Sequence, residues 1–296
     1  MATKLSGRLE WTGEDITLAE VERELAALRE AGGSKGSPLL RTSVMTHLAW
    51  LPHGWVEKGR KTLAGLGERH PSRTILLLPE PAAAQSAIDA AVHVECFGVE
   101  TPGIQVCSEV IELRLRGDRT RAPASVVQPL LIFDLPAFLR WRGQPVFGSP
   151  ELEQLVGVSD RLIVDSTEWE DVPGAYPGLA ALFGRAAVSD IAWARTSRWR
   201  AHLATFWPEI ASVSRIRVRA TAAQAHLLRG WLASRLGHPI ELEHEPSDRL
   251  EAVWLDGEPV GLPPGDPPDP SDLLSDELDT FTRDRIYEQA VFAAAR

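Results

Sequence analysis

The stretch from Ala124 to Trp169 constrains the fold most, because it carries two apolar runs that each end in a carboxylate. Val126 to Phe133 is apolar apart from Gln128 and Pro129, and Leu162 to Val164 is a shorter run of the same kind. Such runs suit strands covered on both faces, as in a parallel sheet. Asp134 follows the first; Asp165 and Ser166 follow the second. Between them lie Phe138, Arg140, Trp141, Arg142 and Phe147, then a short helical stretch, Glu151 to Val156. The expectation is a strand–crossover–strand unit with any ligand beyond the carboxyl ends of its strands. Simple capping of the turns that follow explains the same two aspartates.

A chain of 296 residues is long enough for one large domain or two of ordinary size. Its net charge of -10 argues against a nucleic-acid binder built on bulk charge. No apolar run approaches a membrane span, and the first residues lack the apolar core of a secretory signal. The two cysteines, Cys96 and Cys107, suit a reducing cytoplasm rather than a disulfide scaffold. Each alternates in register with apolar neighbours (Val92 and Val94; Ile111 and Leu113), so both are expected to be reduced, buried and inert.

Along the chain, Thr17 and Glu20 have capping-box spacing ahead of Leu18, Val21, Leu25 and Leu28 on one helical face. Gly32 to Gly36 reads as a linker, since it lacks the spacing of a phosphate loop. Leu39 to Trp50 is an expected strand and Trp55 to Arg69 an expected helix; Arg73–Leu78, Val92–Phe97 and Val106–Arg116 are further strands. Pro173 to Gly178 is the best boundary, dividing the chain into domains 1–172 and 173–296. Leu179 to Ala187 reads as a helix, and Asp190 to Pro208 is dense in tryptophan and arginine, with Ser197 an expected N-cap.

The last third has a clear plan. Strand Ser214–Arg219 leads to a helix opened by Thr221 and Gln224 and stopped by Gly237, then to strand Ile240–Glu245. A crossover of this kind makes the two strands parallel neighbours, with Arg215, Arg217 and Arg219 beside Glu241, Glu243 and Glu245. Asp256-Gly257 marks a hairpin, and one or two helices from Asp272 close the chain. The fold class is therefore α/β: two α/β domains with mixed sheets, the second holding a β-α-β unit, a hairpin and closing helices.

No dinucleotide, phosphate-loop, zinc-protease, nucleophile-elbow or paired-cysteine motif is present. His238 and His244 lack ligand spacing, so no metal or cofactor is expected. Between Arg195 and Arg235 many arginines face a single acid, Glu209, a composition suited to a sugar phosphate or an acidic partner surface. Arg198 and Arg200, beside Trp199, have no evident partner in sequence.

At five segments in order the chain resembles the OpcA family, the glucose-6-phosphate dehydrogenase assembly proteins of actinobacteria and cyanobacteria. They are His70–Leu77 (HPSRTILL), Glu109–Gly117 (EVIELRLRG), Ser125–Gly143 (SVVQPLLIFDLPAFLRWRG), Asp190–Leu203 (DIAWARTSRWRAHL) and Leu228–Ile240 (LRGWLASRLGHPI). Arg140 departs from the pattern, since many relatives carry a second tryptophan before Trp141. The resemblance implies a cytoplasmic, non-catalytic assembly factor or allosteric activator whose partner is the dehydrogenase, with no nucleic acid or membrane involved. It supplies no catalytic residues. The candidates for partner or ligand binding are Asp134, Arg140, Trp141, Arg142, Asp165, Ser166, Arg198, Trp199 and Arg200. Two rival readings are a sugar-phosphate sensor using Asp134, Asp165 and the Arg198/Arg200 region, and an enzyme whose site is assembled from distant residues.

Overall fold

The computed structural model describes residues 3–4, 9–32, 39–40, 43–63, 70–98, 105–266 and 270–296. It is an α/β protein of two compact units, Met1–Leu162 and Ile163–Arg296.

In the first unit the strands are β1 (Thr3–Lys4), β2 (Leu9–Gly13), β3 (Leu39–Leu40), β4 (Met45–Trp50), β5 (Ser72–Glu80), β6 (Ile88–Gly98), β7 (Gln105–Arg116) and β8 (Ala137–Trp141). They form a mixed sheet in the order β1-β6-β7-β5-β4-β8, with β2 also paired to β6 and β3 to β7. β4 is parallel to β5 and β8, and β5 to β7, whereas β6 runs antiparallel to β7. Leu48, Ile75, Leu77, Ile111 and Leu113 share one buried face. The helix Leu18–Gly32, opened by the expected Thr17–Glu20 box, is tied to that face. Ala49, Leu51, Leu76 and Leu78 cluster with Val56 of the helix Val56–Leu63 on the other. That helix, preceded by a 3-10 turn His53–Trp55, is the expected Trp55–Arg69 element; residues 64–69 and the linker at 33–38 lie outside the described residues.

A buried ion cluster fixes the first helix to the sheet. Arg73 Nε meets Glu109 at 2.8 Å and its Nη1 meets Glu22 at 2.6 Å, while Arg29 meets the other Glu109 oxygen at 2.5 Å. Arg73 also donates to the Leu130 carbonyl at 2.7 Å. Burial pushes the Glu109 carboxyl up, but the bonds and charges of Arg29 and Arg73 outweigh it and hold it below the usual range.

Two expectations fail here. Val126 to Phe133 is not a strand: Pro123–Val127 is helical, Gln128–Leu130 is a 3-10 turn, and the strand begins only at Ala137. Pro129 has no N–H to give a central ladder, and a proline is tolerated in the first turn of a helical segment, where Pro129 is the second residue of Gln128–Leu130. The crossover itself is as expected, through the helix Pro150–Gly157, capped by Ser149, to β9 (Arg161–Val164). Cys107 is not reduced: among the described residues no cysteine is free, and Cys107 is disulfide-bonded. The only other cysteine in the sequence, Cys96, is its direct cross-strand partner in the β6–β7 register. Alternation with apolar residues located both thiols on one ladder but gave no measure of their mutual register.

The division between units falls within β9, whose neighbour is β10 (Ala187–Asp190). The expected helix Leu179–Ala187 is shorter, Tyr176–Ala180, and Ala187 opens β10 instead. The second sheet contains β11 (Arg215–Ala220), β12 (Glu241–Pro246), β13 (Ala252–Leu255) and β14 (Glu258–Pro259) in the order β12-β11-β13-β14. β11 and β12 are parallel and joined by the helix Ala222–Leu236, as the sequence predicts. Arg215, Arg217 and Arg219 stand in register with Glu241, Glu243 and Glu245. Arg215 pairs with Glu241 at 3.7 Å and Arg219 pairs with Glu245, while Arg217 lies over the Trp254 ring at 4.0 Å. Thr221 and Gln224 form the capping box, and Gly237 ends the helix at φ 76°. Asp256 and Gly257, at φ 47° and 95°, make the primed hairpin turn between β13 and β14. The C-terminal helix Arg285–Ala294 packs closely on Ala222–Leu236, so closely that a Cβ at Gly230 would overlap the Ala290 carbonyl oxygen. Arg229 donates to the Ala293 and Ala294 carbonyls at 3.1 Å, placing a cation at that helix's negative end. Among the described residues no helix is long and apolar enough to cross a membrane.

Candidate functional site

The sequence-chosen residues of the first unit sit at opposite ends of β8. Asp134 precedes the strand, exposed in a turn closed by Leu135 N to the Ile132 carbonyl at 3.3 Å, with φ 65°. Arg140, Trp141 and Arg142 lie at the carboxyl end and are buried. The parallel register sets Trp141 opposite Trp50, and the rings stack at 5.1 Å. Arg140 donates to the Trp141 carbonyl at 2.9 Å. The Arg142 guanidinium lies over the Trp55 ring at 4.8 Å. Gly143, at φ 73°, brings the backbone against the same indole, where a Cβ would sit 2.8 Å from Nε1. His47 is buried nearby on β4, and its imidazole is pushed down to about 4 by burial, then by the charges of Arg140 and His70. It is therefore neutral at pH 7.

In the second unit the strand ends do carry carboxylates, and they face inward. Asp165 caps the 3-10 turn Ser166–Glu168, accepting from Thr167 N at 3.2 Å and Thr167 Oγ1 at 2.6 Å. Arg195 Nη1 reaches both Asp165 oxygens at 2.9 Å. Ser166 is buried and gives its hydroxyl proton to Asp190 Oδ2 at 2.6 Å and its N–H to Oδ1 at 3.0 Å. Burial first, and then the Asp165 charge, push the Asp190 carboxyl up to about 6 against the bonds from Ser166 and Ala192. Tyr176 and Tyr287 are also fully buried, and burial and the Asp190 charge drive both phenols well above their usual range.

The tryptophan–arginine segment is mostly internal. Trp199 is 5% exposed and belongs to the core. The Arg200 guanidinium covers the Trp193 ring at 3.4 Å, and its Nε donates to Thr196 Oγ1 at 3.0 Å. Burial pushes Arg200 down to about 10 against the pull of Asp284. Arg198 donates to the Pro263 and Pro264 carbonyls at 3.0 Å and to that of Gly265. Ser197 begins the helix Ser197–Ala204, with Thr196 ahead of it and no side-chain cap. The structure thus joins Asp165 with Ser166, and joins Arg140, Trp141 and Arg142, while Asp134 and Arg198 stand apart within their own units.

Sequence reasoning missed Asp190, Tyr176 and Tyr287. A weak signal existed for Asp190: Ala186 to Val188, followed by Ser189, is a short apolar run leading to an aspartate, as Leu162 to Val164 leads to Asp165. It also gave no sign that Phe133, 88% exposed, and Trp207, 65% exposed, would be among the large apolar side chains left in solvent. His238 and His244 contact the carbonyls of Ala211 and Ala220 at 3.2 and 2.9 Å, and among the described residues no group of three potential ligands is placed to hold a metal.

Comparison with known proteins covers both units. Residues 64–181 match the family described as "Glucose-6-phosphate dehydrogenase subunit N-terminal domain", and residues 186–291 match the family described as the C-terminal domain of the same protein. The chain is similar to the "Putative OxPP cycle protein OpcA" of Synechocystis, 28% identical over 189 residues, 60% of this chain and 40% of that protein. The proteins of the same name from Nostoc punctiforme and Synechococcus elongatus are 26% identical over 192 residues and 27% over 185. These matches cover 61% and 53% of this chain and 41% of each relative, so the matched stretch spans about two fifths of the curated relatives' length. Two family domains in sequence, with relatives of the same name, establish that this chain belongs to the OpcA family of glucose-6-phosphate dehydrogenase assembly subunits.

Proposed function

We propose that the protein is a non-catalytic partner of glucose-6-phosphate dehydrogenase, acting as an assembly factor or allosteric activator in the oxidative pentose phosphate pathway. The observation that carries this reading is the ordered match to both domains of a family described as a subunit of that enzyme. The site residues support it. Arg140, Trp141, Arg142, Asp165, Ser166, Trp199 and Arg200 are engaged in internal stacking, capping and ion pairing. A bound subunit raises activity only by favouring the active form of the enzyme, through assembly or a better-ordered substrate site. The exposed side chains Phe133, beside Asp134, and Trp207 are the anchors proposed for the partner. A cytoplasmic location belongs to the same proposal, although the Cys107 disulfide removes the argument from free thiols.

The test is sizing chromatography of the chain mixed with its cognate dehydrogenase. Co-migration is expected, weakened by Phe133→Ala or Trp207→Ala while thermal stability holds. Separate elution of the two native proteins, with activity unchanged on mixing, contradicts the reading.

A further inference from the structure

β12 is an edge strand of the second sheet: β11 lies on one side of it, and among the described residues no strand lies on the other. The bonds of Glu241 N to the Ser214 carbonyl and of Ser247 N to the Ala220 carbonyl, both 2.9 Å, set its phase. The odd-numbered residues give their backbone groups to β11, so Leu242 and His244 turn N–H and C=O outward, and Pro246 its C=O. Glu241, Glu243 and Pro246 are exposed and the other three residues half-buried, so solvent reaches this edge. A row of outward backbone groups of this kind is a template for another strand. The opposite edge, β14, is two residues long and ends in Pro259, so it offers no comparable template.

The side chains of β12 select which strand can join it. Glu241, Glu243 and Glu245 share the outer face, and Leu242 and His244 share the face that carries the buried Ile216 and Val218. On its occupied side β12 already meets arginines alternating with Ile216 and Val218. Glu241 and Glu245 pair with Arg215 and Arg219 there. Arg217 instead lies over the Trp254 ring at 4.0 Å, and Glu243 is exposed, with no ion pair among the described residues. A strand added on the free side meets the same three carboxylates on one face and the same apolar margin on the other. A second copy of this chain does not fit, because its own β12 would set glutamate against glutamate.

We propose that β12 is a docking edge for an extended segment of a partner protein in which arginine or lysine alternates with β-branched residues. The segment adds to the sheet beyond β12, with the outward groups of Leu242 and His244 supplying the ladder and the glutamates reading its basic face. Main-chain bonds give such a strand its hold, and the alternation gives it its register. Because the edge is built from this chain's own residues, the segment need not belong to the dehydrogenase.

The probe is a capped peptide with the sequence of Ser214–Ala220, added to the full chain and read by titration and by residue-resolved hydrogen exchange. Saturable binding is expected, slowing exchange at Leu242 and His244 by roughly tenfold or more and leaving Glu243 and Glu245 unchanged. A peptide of the same composition with its arginines adjacent should bind roughly tenfold more weakly, and so should the original peptide to Glu243→Lys. His244→Pro removes an outward N–H that β11 does not use, and should abolish binding, whereas His244→Ala keeps the N–H and the binding. No saturable binding, equal binding of the two peptides, unchanged binding to Glu243→Lys, or equal affinity of His244→Pro and His244→Ala overturns the proposal. Faster exchange at Glu243 and Glu245 also overturns it, since that marks displacement of β11. Should His244→Pro fail to fold, Glu243→Lys, at an exposed position, decides it.

Discussion

The Trp193 indole donates to the Asp284 carboxylate at 2.8 Å, joining a helix near the start of the second unit to the cap of the last one. Asp284 also accepts from Ile286 N at 2.9 Å and Tyr287 N at 3.0 Å, so one carboxylate both starts the C-terminal helix and holds it to Trp193. The segment richest in tryptophan and arginine is thus a fastening for the chain's end. Trp193→Phe keeps an aromatic ring but removes the donor and part of the buried indole. It should cost about 1–2 kcal/mol, read as a lower denaturant midpoint; an unchanged midpoint shows that the bond carries no weight.

Trp199 and Arg198 are neighbours in sequence with unlike fates. Trp199→Ala empties a core position and should destabilise by about 3–5 kcal/mol. Arg198→Ala gives up bonds to loop carbonyls and should cost roughly 1 kcal/mol. Equal losses in chemical denaturation contradict this placement.

Gly230 lies mid-helix, where alanine ordinarily adds stability. Here a Cβ meets the Ala290 carbonyl, so Gly230→Ala should destabilise by about 1–3 kcal/mol. A raised melting temperature shows that the two helices approach less closely.

Glu109 gives the first unit an acid-side dependence. Its folded pKa is lowered, so its contribution is fully present above the unfolded value of 4.5 and is lost as pH falls through the folded value. Glu109→Gln should flatten that part of the stability profile and cost about 3–5 kcal/mol at pH 7, because Arg73 is left buried without its main partner. A profile as steep as the wild type's counts against it.

Thiol titration checks the cysteine correction. The protein unfolded without reductant should show no reactive thiol, since no cysteine is free among the described residues. Two thiols per chain restore the reduced reading.

The last third was legible because each boundary carries its own local chemistry. Thr221 and Gln224 cap, Gly237 stops, Asp256-Gly257 turns, and alternation sorts Ile216 and Val218 from Arg215, Arg217 and Arg219. Ala124 to Trp169 was harder because a short apolar run does not distinguish helix from buried strand, and Pro129 decided it toward helix. Among the candidate residues, Asp165 was legible as a cap. Its coupling through Ser166 to Asp190 and Tyr287 was not, because it depends on contacts between segments far apart in sequence. Nor does spacing reveal exposure: Trp199 is interior and Trp207 is in solvent.

The central claim is tested most directly by measuring the affinity of this chain for glucose-6-phosphate dehydrogenase with and without the enzyme's substrate, beside the enzyme's apparent substrate affinity with and without the chain. Linkage requires the two factors to be equal. An activating partner gives tighter association in the presence of substrate and a matching gain in substrate affinity, or, if it acts through assembly alone, a higher maximal rate together with a larger complex. No association, and no change in maximal rate or substrate affinity, would contradict it.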